Sequence, residues 1–143
     1  MEFISTKTIL TKVKYGADWY GIDYNINLYR GCSHSCIYCD SRSNCYHIDN
    51  FNIVRGKENA LFILEQELSK KREKGVVGIG AMSDAYNPLE REYEQTRVVL
   101  KLISKYDFGV SIDTKSDLIL RDIDLLKEIN LKNNLYTTGI CHV

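Results

Sequence analysis

The sequence predicts an α/β fold in which parallel strands alternate with helices that cover them. Three observations carry that expectation: short apolar segments bounded by glycine or polar residues, amphipathic stretches of helical period, and regular alternation of the two along most of the 143 residues. The first candidate strand is 24–28. Over 57–74 the spacing predicts a helix, with Leu61, Leu64 and Leu68 on one face, flanked by Ala60 and Ile63. Glu65, Glu67, Lys70, Lys71 and Arg72 supply its wet side, and Gly75 is placed to stop it. Residues 76–80 then read as a buried parallel strand. The polar loop 81–88 follows, and Pro88 is expected to fix its exit ahead of a helix over 92–106, with Val99, Leu100 and Ile103 facing the sheet. A strand over 108–113 runs into Thr114, Lys115 and Ser116, and a third helix over 120–130 is expected to bury Ile123, Leu126 and Ile129. Residues 135–143 read as a fourth strand with no helix after it, an apolar edge open to association.

The length suits one domain, 1–143, and a 44% hydrophobic composition is enough for a core. Lysine plus arginine equals aspartate plus glutamate at 19 each, so charge alone draws the chain neither to nucleic acid nor to an anionic membrane. The five cysteines are too few for a disulfide scaffold, and their clustering suits a reducing compartment, which points to the cytoplasm. The amino-terminal residues lack a signal-peptide layout, and no apolar stretch approaches the ~18 residues of a membrane span.

The densest chemistry lies in the segment 29–45, where Cys32, Cys36 and Cys39 follow the spacing C-x3-C-x2-C. Three thiolates so close together suit a 4Fe-4S cluster, and with four irons the cube then keeps one without a protein ligand. The segment follows the first strand directly, which places it at a strand's carboxyl end, where α/β folds build their sites. Zinc is the competing reading. Cys45 can close a four-thiolate site with the other three, with His34 or His47 as substitute ligands, although the usual zinc pattern separates two cysteine pairs by a longer loop. An intramolecular disulfide would leave an odd sulfur. Cys45 and Cys141 otherwise read as incidental thiols.

The cysteine spacing, with Tyr38 just before the last cysteine, resembles the radical S-adenosylmethionine (SAM) superfamily. The likeness extends to residues 21–32, to Ser83-Asp84-Ala85-Tyr86, to Thr114-Lys115-Ser116 and to Arg121-Asp122-Ile123-Asp124-Leu125-Leu126. Together these resemble the branch containing spore photoproduct lyase and the DNA repair photolyase-like proteins, over about residues 19–130. That resemblance implies the amino-terminal part of a (β/α)6 barrel, three to four βα units long and truncated. It implies Cys32, Cys36 and Cys39 as iron ligands, SAM on the open iron, and Tyr38, Ser83, Asp84 and Lys115 around SAM. Tyr38 would lie against the adenine or hydrogen-bond it, Ser83 and Asp84 would meet the amino or ribose groups, and Lys115 would pair with the carboxylate. The plainer readings are a solvated loop lysine for Lys115 and a turn residue capping the next segment for Asp84.

The implied activity is lyase-like. An external donor such as flavodoxin or ferredoxin reduces the cluster, and one electron splits a carbon–sulfur bond of SAM to give methionine and a 5′-deoxyadenosyl radical. Nucleic acid enters as a partner by the resemblance only. Two departures stand against thymine-dimer cleavage: spore photoproduct lyase has a hydrogen-donating cysteine where this chain has Ala81, and a tyrosine where it has Asp40. Members of the branch are also longer, so the expectation is a fragment with impaired turnover; completion of the barrel by a second copy or a separate chain pairing at the open edge is a further reading. A zinc-bound or metal-free accessory domain is the alternative.

Overall fold

A computed structural model describes residues 2–13, 22–30, 54–80, 84–133 and 136–140. In chain order the strands and helices are β1 (Glu2–Ile4), β2 (Thr11–Lys12), β3 (Tyr24–Ile26), β4 (Tyr29–Arg30), β5 (Arg55–Lys57), α1 (Ala60–Lys70), β6 (Val76–Ile79), α2 (Glu90–Tyr93), α3 (Gln95–Lys105), β7 (Gly109–Thr114), α4 (Ile123–Asn133) and β8 (Tyr136–Ile140). A 3-10 segment, Asp117–Asp122, leads into α4.

The larger sheet has the order β2-β3-β6-β7-β8, with β2 antiparallel at one edge and the other four strands parallel. Its described strands form an open sheet. Helices α1, α3 and α4 follow successive parallel strands, and α3 contacts both of the others. Strand register explains the core. Tyr24, Val77 and Val110 share one row, Ile26, Ile79 and Ile112 another, and all six are buried. They pack with Leu64, Leu68, Val99, Leu100, Ile103 and Ile129 in one cluster, where each fully buried aliphatic side chain contributes about 2 kcal/mol.

Because side chains alternate along a strand, the intervening positions face the other way. There the register aligns Asn25, Gly78 and Ser111 with position 137, and Asp113 with Gly139. Asn25 and Ser111 are half-buried and Asp113 is exposed. A parallel sheet covered on both sides reads as apolar throughout. Here one face is apolar and the other polar.

A smaller sheet, β1-β5-β4, pairs β5 parallel with β1 and antiparallel with β4. Tyr29 lies opposite Gly56 and Arg30 opposite Arg55. The two ends of the intervening cysteine-bearing segment are therefore held side by side.

Several elements depart from the sequence expectation. The first helix begins at Ala60, because Arg55–Lys57 pairs as a strand and Asn59 turns the chain at φ 56°. It ends at Lys70, with Lys71 extended, so Gly75 does not stop it. Gly75 instead makes room for Asp23, whose Oδ2 accepts from the Val76 amide at 2.9 Å. Glu67 is not simply on the wet face: its carboxylate accepts from the amides of Ile9 and Leu10 at 2.8 and 3.2 Å. The helix expected over 92–106 is divided at Glu94, where φ is 50°. Ile123 is 38% exposed, because the chain enters α4 from a 3-10 turn that directs Leu125, Leu126 and Ile129 into the core. No helix among the described residues is long and apolar enough to cross a membrane.

Candidate functional site

Strands β6 and β7 end side by side, and Asp84 ties together the loops that leave them. Its Oδ1 accepts from the Thr114 hydroxyl at 2.6 Å and from the Tyr86 amide at 2.8 Å. Its Oδ2 accepts from the Lys115 amide at 2.9 Å. Asp84 and Lys115, predicted from sequence as neighbours of one ligand, are thus brought together through a carboxylate–backbone contact. The carboxylate braces the two loops, and the half-buried Lys115 side chain stands on the second of them. Thr114 completes the turn by accepting from the Ser116 amide at 3.0 Å, and Ser116 Oγ accepts from Leu118 at 3.1 Å.

Beneath these loops lies a buried charged network that the sequence reading did not single out. Glu90 is fully buried, and both its carboxylate oxygens accept from the Thr96 amide, at 3.2 and 3.1 Å. That places a carboxylate at the amino-terminal turn of α3, where unpaired amides and the helix dipole favour negative charge. The Tyr29 hydroxyl donates to the same carboxylate. Arg121 donates through Nη1 to the Glu90 carbonyl at 2.9 Å and through Nη2 to Glu90 Oε2 at 3.3 Å. Arg121 also grips Asp122, from Nε at 3.1 Å and Nη2 at 3.0 Å. Asp122, itself fully buried, accepts from the Tyr86 hydroxyl at 3.0 Å and from Arg97 at 2.8 Å. Arg97 extends outward to the exposed Asp124.

The electrostatics follow from that packing. Burial pushes the Glu90 carboxyl above its ordinary range, opposed by the donors from Tyr29, Thr96 and Arg121. Burial also raises the hydroxyls of Tyr29 and Tyr86, reinforced by Glu90 and Asp122 respectively, so both remain protonated donors. Arg121 is held charged first by its hydrogen bonds to Asp122. At the mouth of the cysteine-bearing segment, burial and then the Arg30 charge push the Lys57 ammonium below its usual value.

Cys32, Cys36, Cys39, Tyr38 and Ser83 lie outside the described residues, as do Cys45, Cys141, His34 and His47. Among the described residues no three His, Cys, Asp or Glu side chains are grouped to hold a metal ion. What is described is the frame around them. The segment 31–53 does not directly follow β3, the first parallel strand of the larger sheet. β3 ends at Ile26, and β4 of the smaller sheet stands between them, because Tyr29 and Arg30 pair with β5. The segment begins after β4 and the chain is described again just before β5, with Tyr29 tying its root to Glu90. Position 83 immediately precedes the braced Asp84. A cleft of about 350 Å³, lined by Tyr86, Pro88, Arg91, Ser116 and Leu118, opens between the loops after β6 and β7. The polar row of Asn25, Ser111 and Asp113 was also missed from sequence. Its signal was the period-two pattern in Gly109-Val110-Ser111-Ile112-Asp113-Thr114.

Comparison with known proteins gives relatives without an assigned activity. The chain is 41% identical over 113 residues to an uncharacterized protein of Methanocaldococcus jannaschii, covering 77% of this chain and 42% of that protein. It is 32% identical over 114 residues to uncharacterized proteins of Mycobacterium bovis and Mycobacterium tuberculosis, covering 73% of this chain and 33% of theirs. The chain therefore spans less than half the length of these relatives. No protein-family profile matches it. No solved structure matches it either.

Proposed function

We propose that this chain belongs to a cytoplasmic radical SAM protein, lyase-like in type, that holds a 4Fe-4S cluster on Cys32, Cys36 and Cys39 and binds SAM beside it. The observation that carries the reading is the C-x3-C-x2-C segment, which begins after β4 and a short stretch of chain beyond β3, the first of four parallel strands. The donor chemistry fits the group: three thiolates satisfy three irons and leave the fourth for a small-molecule ligand. When bound, the cluster supplies one electron that splits a carbon–sulfur bond of SAM.

The chain's own residues do the holding. Tyr38, Ser83 and Lys115 would contact SAM, and Asp84 fixes the loops that present Ser83 and Lys115. This divides the four expected SAM neighbours into three contacts and one brace. The uncharged row of Asn25, Gly78 and Ser111 on the polar sheet face would border the bound ligand without competing for its charges. An external reductant such as flavodoxin or ferredoxin would supply the electron.

Anaerobic reconstitution with iron and sulfide, followed by EPR of the reduced protein with and without SAM, tests the reading. A cubane signal that SAM perturbs, abolished in Cys32→Ala, Cys36→Ala and Cys39→Ala but kept in Cys45→Ala, is the expected result. Stoichiometric zinc lost on Cys45→Ala, or a signal indifferent to SAM, refutes it.

A further inference from the structure

We propose that the Tyr29–Glu90 hydrogen bond is a positioning contact that sets the cysteine-bearing segment against the loops after β6 and β7. The inference rests on the cluster reading above and concerns residues that reading does not use. Tyr29 stands three positions before Cys32 and is 2% exposed, with its hydroxyl on the fully buried Glu90. The same carboxylate caps α3 through Thr96 and receives Arg121 from the segment after β7. Arg121 passes the constraint to Asp122, which holds Tyr86 in the loop after β6. Three loop roots therefore converge on one pair of buried carboxylates.

The geometry makes this more than a packing contact. Gly56 lies directly opposite Tyr29 across the β4–β5 pair, so backbone pairing fixes the strand at that point while the hydroxyl fixes its rotation. Arg121 presents a planar fork, with donors to both carboxylates at once, and such a fork transmits direction as well as charge. Tyr29, Arg121 and Tyr86 are referred to the same hub, so a shift of Tyr29 against Glu90 shifts the root of the cysteine-bearing segment against the roots of the other two loops.

Tyr29→Phe removes one hydroxyl and leaves Glu90 with Thr96 and Arg121. After anaerobic iron and sulfide loading, this variant should lose iron affinity, with shifted EPR g-values and a weakened response to SAM. Its far-UV circular dichroism should match that of the unaltered chain. Glu90→Gln keeps an acceptor for the hydroxyl and should retain the wild-type g-values, whereas Glu90→Ala should shift them as Tyr29→Phe does. Tyr106→Phe, which removes a surface hydroxyl bound to Glu65 at 3.1 Å, is the control and should change none of these readouts. A Tyr29→Phe protein that equals wild type in iron affinity, g-values and SAM response overturns this inference and leaves the cluster reading standing. An unaltered chain that takes up no iron overturns both.

Discussion

Removing the Arg121 guanidinium while keeping its volume, as Arg121→Met, isolates the charge that Glu90 depends on. The arginine makes four contacts of 2.9 to 3.3 Å, two to Glu90 and two to Asp122. Asp122 keeps Arg97 at 2.8 Å and the Tyr86 hydroxyl, so the loss falls mainly on Glu90, which then has no cation. Stranding one partner of a buried ion pair costs 3–5 kcal/mol; Arg121 is 21% exposed, and water reaching its place limits the cost to about 3 kcal/mol. For a chain of this length that corresponds to a fall of about 10 °C in melting temperature.

The pH dependence gives the sharper test. A carboxyl raised by burial contributes its stability below its ordinary pKa and loses it as pH climbs through the raised folded value. Arg121 is one of the groups that lower it, so in Arg121→Met the carboxyl rises further and the deficit against wild type grows with pH. Urea denaturation at about pH 8 and about pH 5.5 should show the larger deficit at the higher pH. Asp124, lowered first by Arg97, acts in the opposite direction and is common to both proteins. Glu90→Gln in the Arg121→Met background should recover part of the loss. A deficit under about 1 kcal/mol, or one independent of pH, would refute the assignment of Arg121 as the counter-ion of Glu90.

Other outcomes follow from single contacts. Asp84→Ala removes the acceptor of two amides and a hydroxyl, and because the site is half-open to water it should cost about 2 kcal/mol and speed hydrogen exchange at the Tyr86 and Lys115 amides; unchanged exchange there argues against the brace. In Gly78→Ala the new Cβ would stand 2.8 Å from Asn25 Oδ1 and 3.0 Å from Ile22 Cγ2, so a loss of about 2 kcal/mol is expected in thermal melts, and none would show that the polar face yields freely. Lys57→Met should raise the melting temperature, because burial and then Arg30 weigh against the charged ammonium and lower its pKa. That gain should shrink as pH rises from the lysine's lowered folded pKa to its ordinary value, and a gain that does not shrink as pH rises contradicts the reading.

The parts of the fold legible in the sequence were those with a strong local period. Leu64 and Leu68, Val99 with Leu100 and Ile103, and Leu126 with Ile129 lie where helical spacing predicts, because each helix buries one continuous stripe. Residues 76–80 and 108–113 contain β6 and most of β7 for a similar reason. The smaller sheet was invisible, since strands of two or three residues carry no period and owe their pairing to distant partners. The break at Glu94 was hidden as well. A glutamate with positive φ has no sequence signature, and only the capping of α3 by Glu90 rationalises the turn. For the site, the cysteine spacing and the loop residues Asp84 and Lys115 stood out, and a turn role for Asp84 was open from the sequence, yet its grip on the loop after β7 was not legible. Its partners are two backbone amides and Thr114, whose positions depend on β7 running on to Thr114 past Ile112, the partner of the last residue of β6.

The placement of charge has a further logic. Buried ion pairs rarely add net stability over an apolar replacement, so the Glu90–Arg121–Asp122 set is better understood as fixing one arrangement of several loops than as strengthening the core. The core does not need it: the sheet rows and helix stripes are already apolar and closely packed. What lacks apolar support is the layer just above, where the chain must leave the strands in polar loops. Asp84 fixes that layer from within by gripping two amides and a hydroxyl, and the buried network fixes it from below through Tyr29, Tyr86 and Thr96. Two independent constraints on the same loop ends are excessive for a surface that only meets water. They are what a site needs when a cofactor held by one loop must meet a ligand held by two others within a fraction of an ångström.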